Sequence, residues 1–292
     1  MTSPSHTLRA TLLACAAASL PLSWLHAAEP VRIVFQNGRS IPITAVTAQA
    51  DKLVIKESAD GFTAGQNFPM ASADHIYGEK PAGINPAIAL LLSDKPADAL
   101  KLLEPIIAEQ RLTAKIPGNY WLEAARAALV AYAVSGNSAK STEIGKEISD
   151  ATPAQGIDPF ISLGKALLLP ASTKVEDRAT ALRDLTTDNL PADVCAYASF
   201  YRGQLLKGAK RSADVTEARK QDNEALEAFL MVPCLFPSGG LILNAVAEYN
   251  ASEFLVTFGR REEAVALLNS SIRQSADTLV AVDANKRLES LK

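Results

Sequence analysis

From Pro81 to the C-terminus, apolar residues recur three and four apart, a period that places them on one stripe of a helix and leaves little room for any other secondary structure. The stripe runs through residues 87–92, 97–107, 120–134, 141–148, 160–169, 176–185, 193–206, 223–232, 242–258, 261–272 and 277–291. Short polar, Gly or Pro breaks separate the segments, so consecutive helices are expected to lie antiparallel. They make about ten helices in five hairpins, with one extra helix at the end. Hydrophobic residues are 48% of the chain but aromatics only 6%. Ala and Leu therefore carry the apolar mass, which suits closely spaced helices.

The second helices of successive hairpins carry a small residue at Ala99, Ala139, Ala179, Ala225 and Ala264, at spacings of 40, 40, 46 and 39. A repeat near 40 lies between the roughly 34 of tetratricopeptide repeats and the roughly 40–47 of HEAT and armadillo repeats. Period alone does not choose among them. The side chains lean one way: Ala225, Phe229, Val232 and Pro237 place a small residue, a large one four on, an apolar one three later and a Pro five beyond. Ala99, Leu103 and Ile106 follow most of that pattern, Ala87 stands twelve before Ala99, and the run from Gly259 to Leu268 reads as a turn and second helix.

These positions resemble the tetratricopeptide repeat. The resemblance covers residues 81–292, with Glu143 and Arg183 departing from it in hairpins two and three. It implies a mainly α fold, a tetratricopeptide-like α-solenoid of about five helical hairpins plus a C-terminal capping helix, stacked because no hairpin buries its apolar face alone. It also implies protein–protein interaction through the exposed positions of first helices, on the concave side. Asn244, Glu248 and Ser252 recur every four residues as a polar stripe, and Tyr197, Tyr201, Gln204 and Lys207 are the matching candidates one hairpin earlier. Tyr120 and Trp121 are candidates in the second hairpin, with core packing as the competing reading.

Residues 29–79 differ in character. Val31-Arg32-Ile33-Val34-Phe35 is β-branched and extended, Asn37-Gly38 is a two-residue hairpin signal, and residues 41–46 and 51–56 continue as strands, with a short last strand or turn at 73–77. Pro42 predicts a sheet edge. A small antiparallel β domain is expected, and the pattern of a strand, an Asn-Gly turn, two more strands and Phe68-Pro69 … Ile76 resembles small SH3-like modules of exported bacterial proteins. Either a docking module or a cap on the end of the helical array fits that reading.

Residues 1–28 read as a signal peptide: a weakly basic start ending at Arg9, an apolar stretch, and small residues at Ala27 and Ala28. A periplasmic or secreted protein is expected. Leu12-Leu13-Ala14-Cys15 resembles a lipoprotein cleavage box, but the apolar run before Cys15 is shorter than the roughly 7–15 residues a signal core needs. Contact with a membrane is otherwise expected by proximity only. An oxidising compartment permits a disulfide between Cys195 and Cys234, which the helix pairing puts at the same end of one hairpin, with two buried free thiols as the alternative.

The net charge of −3, without any basic run, points away from nucleic acid. Once residues 1–28 are set aside the only His is His75. No Ser-His-Asp or Cys-His set, zinc spacing or phosphate loop can be assembled, so no catalytic residue, metal or cofactor is expected. Ser238-Gly239-Gly240 before a helix could cradle an anion, although a plain helix start is the simpler reading. The expected function is a non-catalytic scaffold or adaptor with a protein partner in the cell envelope. A self-oligomerising envelope protein is the alternative, and an enzyme with an unrecognised site stands third.

Overall fold

The computed structural model describes residues 29–152 and 156–291; the signal-peptide reading of residues 1–28 and the lipidation of Cys15 lie outside them. The described residues begin with six strands: β1 (Arg32–Phe35), β2 (Ser40–Pro42), β3 (Val46–Gln49), β4 (Lys52–Ile55), β5 (Asn67–Pro69) and β6 (Ala73–Tyr77). They form two antiparallel three-stranded sheets, in the orders β2-β1-β6 and β3-β4-β5. Pro42 lies in the edge strand β2, where its missing N–H costs no ladder bond. The β1–β2 loop is longer than a two-residue turn. Phe35 N–H donates to Arg39 O at 2.8 Å, and Gly38 takes a φ of 77° inside a four-residue connection.

The same device carries the chain between the sheets twice. Pro42 and Pro69 each end a strand at φ near −58° and ψ 139°, and each is followed by one 3-10 turn, Ile43–Ala45 or Met70–Ser72. Proline fixes φ and the short turn redirects the chain, so β2 leads into β3 and β5 into β6 across the gap. Residues 41–46 are therefore two strands with a turn between them rather than one. Ile33, Phe35, Ile41, Leu53, Ile55 and Phe62 fill the space between the sheets. Phe35, Phe62 and Phe68 meet with ring centroids 5.0–5.5 Å apart.

Among the described residues eleven α-helices follow: α1 (Ile84–Leu92), α2 (Pro96–Gln110), α3 (Trp121–Val134), α4 (Ser138–Ala151), α5 (Pro159–Leu167), α6 (Val175–Arg183), α7 (Ala192–Lys207), α8 (Val215–Leu235), α9 (Leu241–Thr257), α10 (Arg261–Gln274) and α11 (Leu279–Ser290). The architecture is mainly α, with sequential helix pairs packed after the two-sheet β region, as the periodicity predicts. Ala99, Ala225 and Ala264 are fully buried where helices touch. Ala139 is exposed, and Ser141, Ile144, Gly145 and Ile148 bury instead, so the repeat register in hairpin two sits two residues later than its Ala suggests.

Two contacts set the frame for the site. The α2–α3 connection reaches back to the β region: Ile116 is buried in its core, and Tyr120 Oη donates to Gly78 O at 2.6 Å. The helical array also returns to its start, because α1 packs against α9 and α11.

Candidate functional site

The polar stripe of α9 does not line an open concave surface, because α10 and the α8–α9 connection cover it. Helix α9 is packed by α8, α10, α1, α7 and α11, so its polar residues face protein. Asn244 is buried and donates to Pro237 O at 2.8 Å. Glu248 is buried and accepts from Ser270 Oγ at 2.9 Å and Gln274 Nε2 at 3.0 Å. Burial holds its carboxyl above the usual range, against those two hydrogen bonds and Arg273. Ser252 has no exposure and bonds Tyr249 O. A spacing of four marks one helix face but not what covers it, and here that face is covered by helices.

The candidates on α7 separate along the helix. Lys207, near its C-terminal end, pairs with Glu253 and donates to Asn250 at 2.9 Å, tying α7 to α9. Gln204 is half-buried one turn earlier. The Tyr201 hydroxyl is buried without a hydrogen-bond partner, and its ring stacks on Tyr197 at 6.4 Å. In the second hairpin Trp121 is 1% exposed, and Tyr120 is occupied at the β region. Cys195 and Cys234 are both free. Cys195 is buried with its thiol directed at Thr187 O and Leu190 O, while Cys234 is exposed on the last turn of α8, so the bridge does not form. His75 is exposed beside Asp74 and stands apart from other reactive groups.

A different place gathers chemistry. The odd-numbered helices all begin at one end of the array, and their first turns surround a cleft of about 810 Å³. Its walls come from Asn85 and Ile88 on α1, Glu123 and Arg126 on α3, Phe160 on α5, Asp193 and Tyr197 on α7, Leu241–Leu243 on α9, and Thr278 before α11. Pro86, Asp277 and Thr278 also line a second cleft of about 590 Å³ between α1 and α11, making one continuous depression. Leu241 (64% exposed), Leu279 and Val282 stand open along it.

The charged groups are ordered by pairing. Arg126 Nε and Nη2 reach Asp158 Oδ2 at 3.1 and 2.7 Å, and Nη1 lies 3.5 Å from Asp193. The Asp158 side chain is only 1% exposed and also caps α5, accepting from Phe160 N–H at 2.9 Å. Asp193 Oδ1 accepts from Val194 N–H at 2.8 Å at the start of α7. At the rim, Lys80 pairs with Glu123 at 2.6 Å. Tyr197 is 7% exposed and meets Phe160 edge-on at 5.5 Å. Burial and the Glu123 and Asp193 carboxylates push that phenol well above the usual tyrosine range, so it stays neutral.

Gly239 accounts for part of the Ser238-Gly239-Gly240 run. A Cβ there would stand 2.4 Å from Ala196 Cβ, so the α8–α9 connection touches the α7 backbone region only as glycine. Sequence reasoning missed Arg126, Asp158 and Asp193. The signal was there in Asp158-Pro159 and Asp193, acidic residues at helix starts, but their meeting depends on which helix ends share a mouth.

Fold and cleft together define a mainly α protein of stacked helix pairs with a recessed, mixed apolar and charged mouth. Among the described residues there is no cluster of three or more metal-ligating side chains, and no helix is long and apolar enough to cross a membrane. No protein-family model, no curated protein and no solved structure matches the chain.

Proposed function

We propose that this protein is a non-catalytic adaptor of the cell envelope, exported through residues 1–28, whose degenerate tetratricopeptide-like array binds a segment of a partner protein. The observation that carries this reading is the continuous depression at the mouth of the array, with its exposed Leu241, Leu279 and Val282. Recesses that combine apolar walls with a few convergent polar groups are where ligands and chain segments dock. Two clefts that share Pro86, Asp277 and Thr278 in their walls offer more room than a compact metabolite needs, which suits an extended chain. The SH3-like β region serves in this reading as a cap that braces the α2–α3 connection.

The test is crosslinking in cell envelopes followed by capture, with the unaltered chain beside Leu241→Asp and Val282→Asp. Both side chains are exposed, so neither change should unfold the protein. A specific partner captured by the unaltered chain and lost from both variants supports the adaptor. Equal capture by all three, or capture of further copies of this chain alone, moves the reading to a self-oligomerising envelope protein.

A further inference from the structure

A second docking surface lies on the β region and uses no residue of the mouth. We infer that the free edge of β3 takes up an extended segment of a partner protein as an added antiparallel strand, and that the residue of the segment opposite Ala48 sets one large apolar side chain in the recess beside it.

The two three-stranded sheets end in the strands β2, β6, β3 and β5, and three of these four edges are closed. The bond from Phe35 N–H to Arg39 O fixes the phase of the β1–β2 ladder, so Ile41 bonds β1 and Pro42 stands on the outward side, where it offers no N–H. On β5 the bonds from Ile55 N–H to Gln66 O and from Met70 N–H to Asp51 O turn Pro69 outward in the same way, and its carbonyl accepts from Ser72 Oγ at 2.7 Å. The edge of β6 is covered, because Ile76 N–H donates to Pro117 O at 2.9 Å. Strand β3 has neither device. Lys56 N–H donates to Ala45 O at 2.8 Å, so Thr47 and Gln49 bond β4 while Ala48 turns its N–H and C=O away from it. Ala48 is exposed, and those two groups have no hydrogen-bond partner among the described residues. Strand backbone left open in this way is a template for another extended chain.

The second observation is a recess of about 320 Å³ against that strand. Ala48, Met70, Leu112, Trp121 and Ala151 make its apolar walls. Ala48 pairs with the buried Leu53 and so belongs to the inner face of its sheet. Residues directly opposite in a ladder project to the same face, so a side chain paired with Ala48 on the outer side enters this recess. The rim carries two charges of each sign: Arg111, which pairs with Glu147 at 3.1 Å, and Lys115 and Asp150. With no net sign to satisfy, the recess favours an uncharged apolar anchor. A second copy of this chain is a poor occupant, since pairing two β3 strands about Ala48 would bring only a methyl group to each recess.

The experiment is fluorescence titration of the full chain carrying Trp24→Phe, which leaves Trp121, in the wall of the recess, as the only indole. The probes are acetyl-Thr-Thr-Leu-Thr-Thr-amide, the same peptide with alanine in place of leucine, and the leucine peptide N-methylated at its leucine. The leucine peptide should shift the Trp121 emission saturably and bind about tenfold more tightly than the alanine peptide, the effect of burying one branched side chain. N-methylation removes the N–H directed at Ala48 O and should weaken binding about tenfold as well. Ala48→Pro deletes the outward N–H and spares the β3–β4 bonds, as Pro42 and Pro69 do on their own strands, and should also cost about tenfold. Ala48→Leu fills the recess but keeps the backbone edge, so it should remove the preference for leucine over alanine. Equal binding of the leucine and alanine peptides, indifference to N-methylation, or binding of no peptide overturns the inference. Binding retained by Leu241→Asp separates this surface from the mouth, whereas binding lost in that variant overturns the inference and leaves the adaptor reading in place. A dimer in solution that Ala48→Pro renders monomeric overturns it in favour of a second copy on the edge.

Discussion

Gly203 on α7 faces the ring of Phe229 on α8 so closely that a Cβ added there would lie 2.8 Å from the nearest ring carbon. Phe229 has no exposure and cannot swing aside, since Phe200 and Phe254 flank it with centroids 5.8 and 6.2 Å away. Gly203→Ala should therefore destabilise the protein by about 1–3 kcal/mol despite adding a better helix former. Chemical denaturation would show it as a lower midpoint with an unchanged slope. A midpoint at or above that of the unaltered chain would mean α7 and α8 can separate at no cost.

Asp158 supports two structures at once, the Arg126 guanidinium and the first turn of α5. Replacing it with Asn keeps an oxygen for the cap but leaves Arg126 without its main charge partner. A loss of about 3 kcal/mol is expected, at the low end for a broken buried pair because Arg126 keeps some solvent contact. Adding Arg126→Met to Asp158→Asn should recover part of that loss. A double variant less stable than Asp158→Asn alone would show the pair to be net stabilising.

Glu248 gives stability a pH dependence of known sign. Its folded carboxyl is held above the ordinary value by burial, so the folded state keeps a proton that the unfolded chain has released. Between the unfolded value, about 4.3, and the raised folded one, stability falls as pH rises. Thermal unfolding midpoints of the unaltered chain and Glu248→Gln, measured from pH 4 to 7, should therefore diverge, with the variant lacking this downward slope. Parallel curves would remove Glu248 as the cause.

The two thiols should behave differently toward a thiol reagent. In a Cys15→Ser background, exposed Cys234 should react at once, whereas Cys195 is buried with a thiol pushed up by desolvation and should react only as the protein opens. Cys234→Ser should abolish the fast phase. Two slow phases, or none without reductant, would contradict the free thiols described above.

Local pattern disclosed the elements well. Each periodic segment corresponds to a helix, and α8 differs most: it starts at Val215, earlier than its apolar stripe, because Asp214 caps it by accepting from Thr216 and Glu217 N–H while its first turns are largely polar. Pro42 at a sheet edge followed from proline chemistry alone. What the pattern does not contain is contact between distant segments. Asn244, Glu248 and Ser252 look like a solvent stripe when α9 is considered by itself, and become interior once the other helices surround it. The mouth cleft is hidden for the same reason. Arg126, Asp158 and Asp193 belong to three different helices and share a place only after the array has turned back to α1.

That return has a consequence for how such a chain can change. In an open solenoid each hairpin answers only to its neighbours, so one can be added or lost and the remainder shifts along. Where the first helix is also a neighbour of the ninth and the last, the number of hairpins becomes a property of the whole, as the number of staves is of a barrel. Excising one hairpin here would pull both ends out of register, and insertions are tolerable only in the connections, away from the seam. The length of this array is thereby locked, while its mouth is left free to vary.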